Sequence, residues 1–183
     1  MQALRLQGAG GVDDLVLEEI EIPPVGSGEA LVRVHAAAIT RDELDWPVDR
    51  LPAIPSYELS GTVVATGEEV FALTGFDRDG VAAEYAVVPA SVLAPKPRGL
   101  GHVESAAIPL AGLSAWQALF DHGRLEAGER VLIHGAAGGV GSFATQLARW
   151  RGAYVIGTAS RPEQALGADE VLTTPPAWTP SAA

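Results

Sequence analysis

The sequence predicts a β-rich region followed by a parallel α/β unit, an α/β plus β class. Three observations carry this. Up to about residue 97, short alternating and β-branched runs are separated by Gly, Pro and Asp, the pattern of an all-β barrel or sandwich. From residue 102 the apolar period lengthens to that of a helix. Beyond residue 128 a compact apolar strand, a glycine-rich loop, a helix and a second strand follow one another, and the crossover of such a βαβ unit implies parallel pairing. The expected domains are 1–100 and 101–183.

Taken in order, ALRLQ, LVLEEIEIP, EALVRVHAAAI, ELSGTVVATG, EVFALTG and GVAAEYAVVPA read as strands. SAAIPLAGLSAWQALFDHG reads as helix, broken into two pieces at Pro109, which lacks the N–H that a helix interior needs. GERVLIHG and AYVIGTAS are strands on either side of the helix VGSFATQLARWRG, and ADEVL is a third strand. Only RPEQALG lies between Ser160 and Ala168, shorter than the roughly 10–12 residues of a helical crossover, so a regular connection to that third strand is not expected. The stretch TTPPAWTPSAA is rich in Pro and small residues and reads as loose.

Composition narrows the function classes. A net charge of −11 repels phosphate at long range, which argues against nucleic-acid and anionic-membrane partners. Any bound phosphate must be held by local groups. The absence of cysteine excludes disulfides, thiolate zinc sites and cysteine nucleophiles. No apolar run reaches the roughly 18 residues of a membrane span, and MQALRLQGAG lacks the regions of a signal peptide. The expectation is a cytoplasmic protein acting on a small molecule. His35, His102, His122 and His134 are scattered without ligand spacing, so no metal is expected.

The stretch HGAAGGVGS, residues 134–142, carries the chemistry. A dinucleotide fingerprint uses glycine for a tight turn, for close backbone approach to pyrophosphate, and for close helix-to-strand packing. Against G-x-G-x-x-G this chain offers Ala136, Gly138 and Gly141, with Gly139 and Val140 between the last two. The second and third roles are intact. The loop follows a strand and opens a helix, so backbone N–H groups and the positive helix end can face an anion. The same glycines would also serve tight packing with no ligand.

At the end of the second strand, where an acidic residue would hold a ribose 2′-hydroxyl, the chain has Ser160 and Arg161. An arginine hydrogen bond to a charged group contributes about 1.5–3 kcal/mol, which favours NADP(H) over NAD(H). The alternative is a solvated surface arginine.

The β-rich segment, PLAGLSAWQALF, LEAGERVLIHGAAGGVGSFATQLAR and the later LGADEV together resemble the medium-chain dehydrogenase/reductase superfamily, in its zinc-free quinone oxidoreductase branch. The resemblance implies a GroES-like catalytic domain, a Rossmann domain that is incomplete in this chain, and hydride transfer from NADPH to a quinone or an electron-poor C=C in the cleft between them. It sets Thr40, Tyr57 and Ala111 where zinc-dependent members carry Cys, His and Cys; none of these makes a zinc ligand set. Thr40 stands where relatives commonly carry Asn, and Glu43 where they carry Asp. Thr40 is left as a donor to a substrate carbonyl. Ser114 matches a Thr/Ser near the nicotinamide, and Tyr57 and Trp46 line the cleft.

The family's chains continue past Ala183, and this chain is also short after LDWPVDR, around VVATGEEV and after Ser160. Segments missing from the sequence and a short, degenerate protein both account for this. An unfinished sheet exposes an edge and apolar faces, which favours a homodimer. Three functions remain: an NADPH-dependent oxidoreductase reducing a quinone or enone without zinc, a non-catalytic nucleotide-binding or interaction module derived from that family, and an enoyl reductase of a polyketide pathway.

Overall fold

The structure, a computed structural model, describes residues 1–8, 11–40, 43–46, 51–161 and 167–173. The tail from residue 174, expected to be loose, lies outside the described residues. The chain divides into two compact units, Met1–Leu110 and Ala111–Ala183.

In the first unit β1 (Gln2–Leu6) turns Ala3 and Leu6 inward and pairs antiparallel with β2 (Leu15–Glu19). The other strands are β3 (Glu29–Ala38), β4 (Glu58–Val63), β5 (Glu69–Leu73), β6 (Tyr85–Pro89) and β7 (Ala94–Pro95). They form one antiparallel sheet in the order β6-β3-β4-β5-β7. Val32, Leu59, Val70 and Val88 fill its core. β-branched and leucine side chains suit this pleated, buried surface. The register of β3 on β4 shifts between Val34 and Ala36, so His35 is the extra residue of a bulge.

The division falls at Leu110, ten residues beyond the expected 100/101. The reason is α1 (His102–Ala106), which packs on β3, β4 and β5. His102 pins it there: Nδ1 lies 2.8 Å from Ser60 Oγ and Nε2 lies 3.2 Å from Glu69 Oε1. α2 (Pro109–Trp116) begins at the proline, as the missing N–H allows at a first helical position. It runs into a π-helical turn, Gln117–His122, that the sequence pattern does not show.

The second unit is a three-stranded parallel sheet. β8 (Arg130–Ile133), α3 (Gly139–Arg151) and β9 (Tyr154–Ala159) make the expected βαβ unit, and β10 (Glu170–Thr173) adds to β9. α3 buries Gly141, Ala144, Thr145 and Ala148, an i, i+3, i+4, i+7 stripe. It ends at Gly152, whose φ of +86° makes a left-handed cap. β10 pairs parallel to β9 although the connection is too short for a regular helical crossover. Glu170 sits opposite Ile156, so the chain runs back past only Gly157, Thr158 and Ala159, roughly 10 Å at ~3.3 Å per residue. Residues 160–169 span that easily.

Candidate functional site

In the second unit the loop between β8 and α3 has a defined shape. Gly135 takes φ +65°. Its N–H donates to Thr158 Oγ1 at 3.0 Å, the Ala136 N–H donates to the Thr158 carbonyl at 2.9 Å, and the Gly138 N–H donates to the Gly135 carbonyl at 2.8 Å. The tight turn therefore belongs to Gly135, one residue before the motif's first position, which Ala136 fills. Ala136 is buried, at 2% exposure, where its methyl packs in the core of this unit.

Gly138 is the N-cap of α3 with an extended backbone, and no side chain caps the helix. A Cβ on Gly141 would collide with the Gly135 carbonyl oxygen, whereas one on Gly139 would meet nothing within 4 Å. Gly141 thus provides the close helix-to-strand approach. No acidic residue stands in the first turn of α3, Val140 is exposed, and the Ser142 hydroxyl donates back to the Gly139 carbonyl. An uncapped helix start free of carboxylates suits a pyrophosphate, which its N–H groups and positive end would hold. Ser160 and Arg161 are both exposed just beyond the end of β9, the strand whose Thr158 fastens the loop. Ser114 is half-buried in α2 beside the fully buried Ala115.

In the first unit Thr40 and Tyr57 stand on two segments that one carboxylate joins. Glu43, 6% exposed, accepts the Thr40 N–H on Oε2 at 3.0 Å and the Ser56 N–H on Oε1, while its own N–H donates to the Thr40 carbonyl at 3.0 Å. The Glu43 side chain reaching back to the Thr40 N–H is the glutamate half of a capping box on T-x-x-E. Burial pushes the Glu43 carboxyl above the usual carboxylate range, against the two N–H donors that lower it. Ser56, with φ +70°, is held in that conformation by Glu43 and by its own Oγ donating to the Ala38 carbonyl at 2.8 Å.

Tyr57 faces two further rings, Trp46 at 6.4 Å and nearly parallel, and Phe76 at 4.8 Å. With Glu43, Leu6 and Ile54 these rings line a cavity of about 410 Å³. Buried Glu58, next to Tyr57, accepts the Leu110 N–H at 2.8 Å. Its carboxyl too is pushed up, by burial and by the neighbouring Glu43 charge, against that N–H. Phe76 and Thr158 are site residues that sequence spacing does not reveal, because each reaches its partner across the fold. Among the described residues no group of three or more His, Asp or Glu side chains is arranged to hold a metal.

Residues 26–74 match the alcohol dehydrogenase GroES-like domain. A quinone-oxidoreductase homolog of Spinacia oleracea, chloroplastic, is 33% identical over 201 residues, which cover 94% of this chain and 60% of that protein. The quinone oxidoreductase of Thermus thermophilus, solved also in complex with NADPH, matches with a TM-score of 0.82 at 35% identity, over 94% of this chain and 60% of that one. The chain has the medium-chain dehydrogenase/reductase fold and is similar to the quinone-oxidoreductase-like branch of that superfamily. This quinone-oxidoreductase-like chain spans about 60% of the length of those two relatives. It also matches, at 37% identity over 176 residues, 8% of a spectinabilin polyketide synthase system protein of Streptomyces orinoci. The GroES-like match lies wholly in the first unit, and the parallel βαβ unit with its glycine loop lies in the second. No helix among the described residues is long and apolar enough to cross a membrane.

Proposed function

We propose that this chain carries the NADP(H) loop and the substrate-facing domain of a zinc-independent oxidoreductase that reduces a quinone or an electron-poor C=C. The observation that supports it best is the turn from Gly135 to Gly141, fastened by Thr158 and open at the helix start. NADPH supplies the hydride. The chain's own residues bind and orient. The backbone of Gly138, Gly139, Val140 and Gly141 takes the pyrophosphate, Ser160 and Arg161 take the 2′-phosphate, and Ser114 meets the nicotinamide. Thr40 donates to the substrate oxygen on which negative charge grows, an interaction that strengthens as the charge develops. Tyr57, with Trp46 and Phe76, excludes water from an apolar ring. Solvent provides the proton. The same reading places the protein in the cytoplasm, with a small-molecule substrate, no nucleic-acid or membrane partner, and a homodimer formed at the free edge of β8.

A second reading, reduction of an enoyl group in polyketide assembly, is favoured by the similarity to the Streptomyces protein. The test is a fluorescence titration of the purified chain with NADPH and with NADH, followed by NADPH oxidation assays with quinones, enones and enoyl thioesters. NADPH binding at least about tenfold tighter than NADH, with turnover of one substrate class, is the expected result. NADPH binding without turnover of any class would leave a nucleotide-binding module. Binding of neither nucleotide overturns the reading.

A further inference from the structure

Away from the nucleotide loop, the second unit carries a wall of three aromatic rings. Trp150, in the last turn of α3, is 70% exposed, and Trp116 is 42% exposed. Trp116 meets Phe120 edge-on with centroids 4.7 Å apart, and Trp150 lies 6.3 Å from Trp116 and 6.4 Å from Phe120. The π-helical turn assembles part of this wall. The Gly123 N–H reaches back five residues to the Ala118 carbonyl at 2.9 Å, a widened turn of the kind often found at functional sites. It leaves Trp116 and Phe120, four residues apart, on one side. A Cβ on Gly123 would press on the Ala118 carbonyl oxygen at 2.7 Å, so the turn depends on glycine there.

The rings and Leu125 line a cavity of about 300 Å³ that also holds Arg124, Arg151 and Glu126. Arg151 is committed: its Nε donates to the Leu125 carbonyl at 3.3 Å and its guanidinium pairs with Glu126. Arg124 follows the π-turn at φ +49°, a left-handed backbone uncommon for a non-glycine residue. Among the described residues its guanidinium has no hydrogen bond or ion pair. The cavity therefore has an aromatic wall, an internally neutralised Arg151–Glu126 pair, and one uncommitted positive charge.

From this we infer that the cavity binds a planar aromatic ring bearing a carboxylate. The ring lies against Trp150 and Trp116 in offset or edge-on contact, and the carboxylate takes the planar guanidinium of Arg124 through two parallel N–H donors. An aromatic wall alone would equally attract a cation; Arg124 reverses that preference. Recognition is local, because the net charge of −11 repels anions at long range and is screened within ~8 Å at physiological salt.

The test is isothermal titration calorimetry of the full chain at about 0.15 M salt, with 2-naphthoate as ligand and two controls, the same ring as 2-naphthylmethylammonium and a saturated ring as cyclohexanecarboxylate. Saturable binding of naphthoate is expected, with both controls at least about tenfold weaker. Arg124→Gln and Trp150→Ala should each weaken naphthoate at least about tenfold while the thermal unfolding midpoint holds. Trp150→Leu serves as a second variant if Trp150→Ala unfolds. Absence of saturable naphthoate binding, equal binding of the ammonium analogue, or naphthoate binding unchanged by both substitutions would each overturn the assignment.

Discussion

Gly139 and Gly141 stand two residues apart on one turn and answer oppositely to a methyl group. At Gly141 the new Cβ strikes the Gly135 carbonyl oxygen, a backbone atom that cannot step aside. Gly141→Ala should cost about 1–3 kcal/mol in overpacking and weaken NADPH at least about tenfold. At Gly139 there is open space, so Gly139→Ala should be neutral or stabilising by up to about 1 kcal/mol. Thermal unfolding of the two variants beside the wild type checks both; equal losses would mean that the close approach is not built as described. Arg161→Ala should cut the preference for NADPH over NADH by about tenfold to a hundredfold, the value of one charged hydrogen bond. Parallel titrations with the two nucleotides read it directly. The glycine roles show what one residue's letter reveals. The motif alignment leaves its first glycine position to Ala136, whereas the backbone takes its positive φ one residue earlier, where a glycine is available.

At the level of elements, the loop is only as well placed as the strand beside it. Thr158 in β9 fastens Gly135 and Ala136 through its hydroxyl and its carbonyl. Thr158→Val keeps the shape of the strand but leaves the partly buried Gly135 N–H without its acceptor, at a cost of about 1–3 kcal/mol. NADPH affinity should fall with it, and the titration curve of that variant is the check. The β8-α3-β9 unit was legible because each element has its own period and its own punctuation, with Gly138 and Gly152 bounding α3. The β10 pairing was not, since loop-length rules assume a full crossover, and here only three residues of β9 have to be retraced. Nor was the docking of α1 on the first sheet, because His102 meets Ser60 and Glu69 at separations of 42 and 33 residues.

Across the molecule, two sets of groups pull the pH dependence of stability in opposite directions. Glu43 and Glu58 are pushed up by burial, so their contribution is full below the ordinary carboxylate range near pH ~4.3 and is lost as the pH rises through their raised values. His35 is held below its usual range by desolvation, then by the charges of His102 and Arg33, against Glu69. Its contribution is present above about pH 6.5 and is lost as the pH falls through the lowered value. The two histidines sit side by side, with ring centroids 4.4 Å apart, although in sequence they were scattered. Glu58→Gln retains an oxygen for the Leu110 N–H and removes the buried charge. Its unfolding midpoint, relative to the wild type, should therefore rise as the pH climbs above the ordinary carboxylate value of about 4.3 and through the raised one. A relative fall would show that the Glu58 carboxylate is better stabilised charged than neutral.

What the sequence determined by itself was whatever depends on neighbours in the chain: the alternating strands, the helix broken at Pro109, and the glycine loop between a strand and a helix. The family resemblance rested on those same runs. What only the tertiary structure decided was whatever depends on distant segments meeting: Thr158 against the loop, Glu43 between the Thr40 and Ser56 turns, Phe76 beside Tyr57, and Arg124 lining one cavity with Trp150. A local pattern repeats with a period that can be read from the chain. A contact between residues tens of positions apart leaves no such period, because it is fixed by how the packed elements bring those residues together.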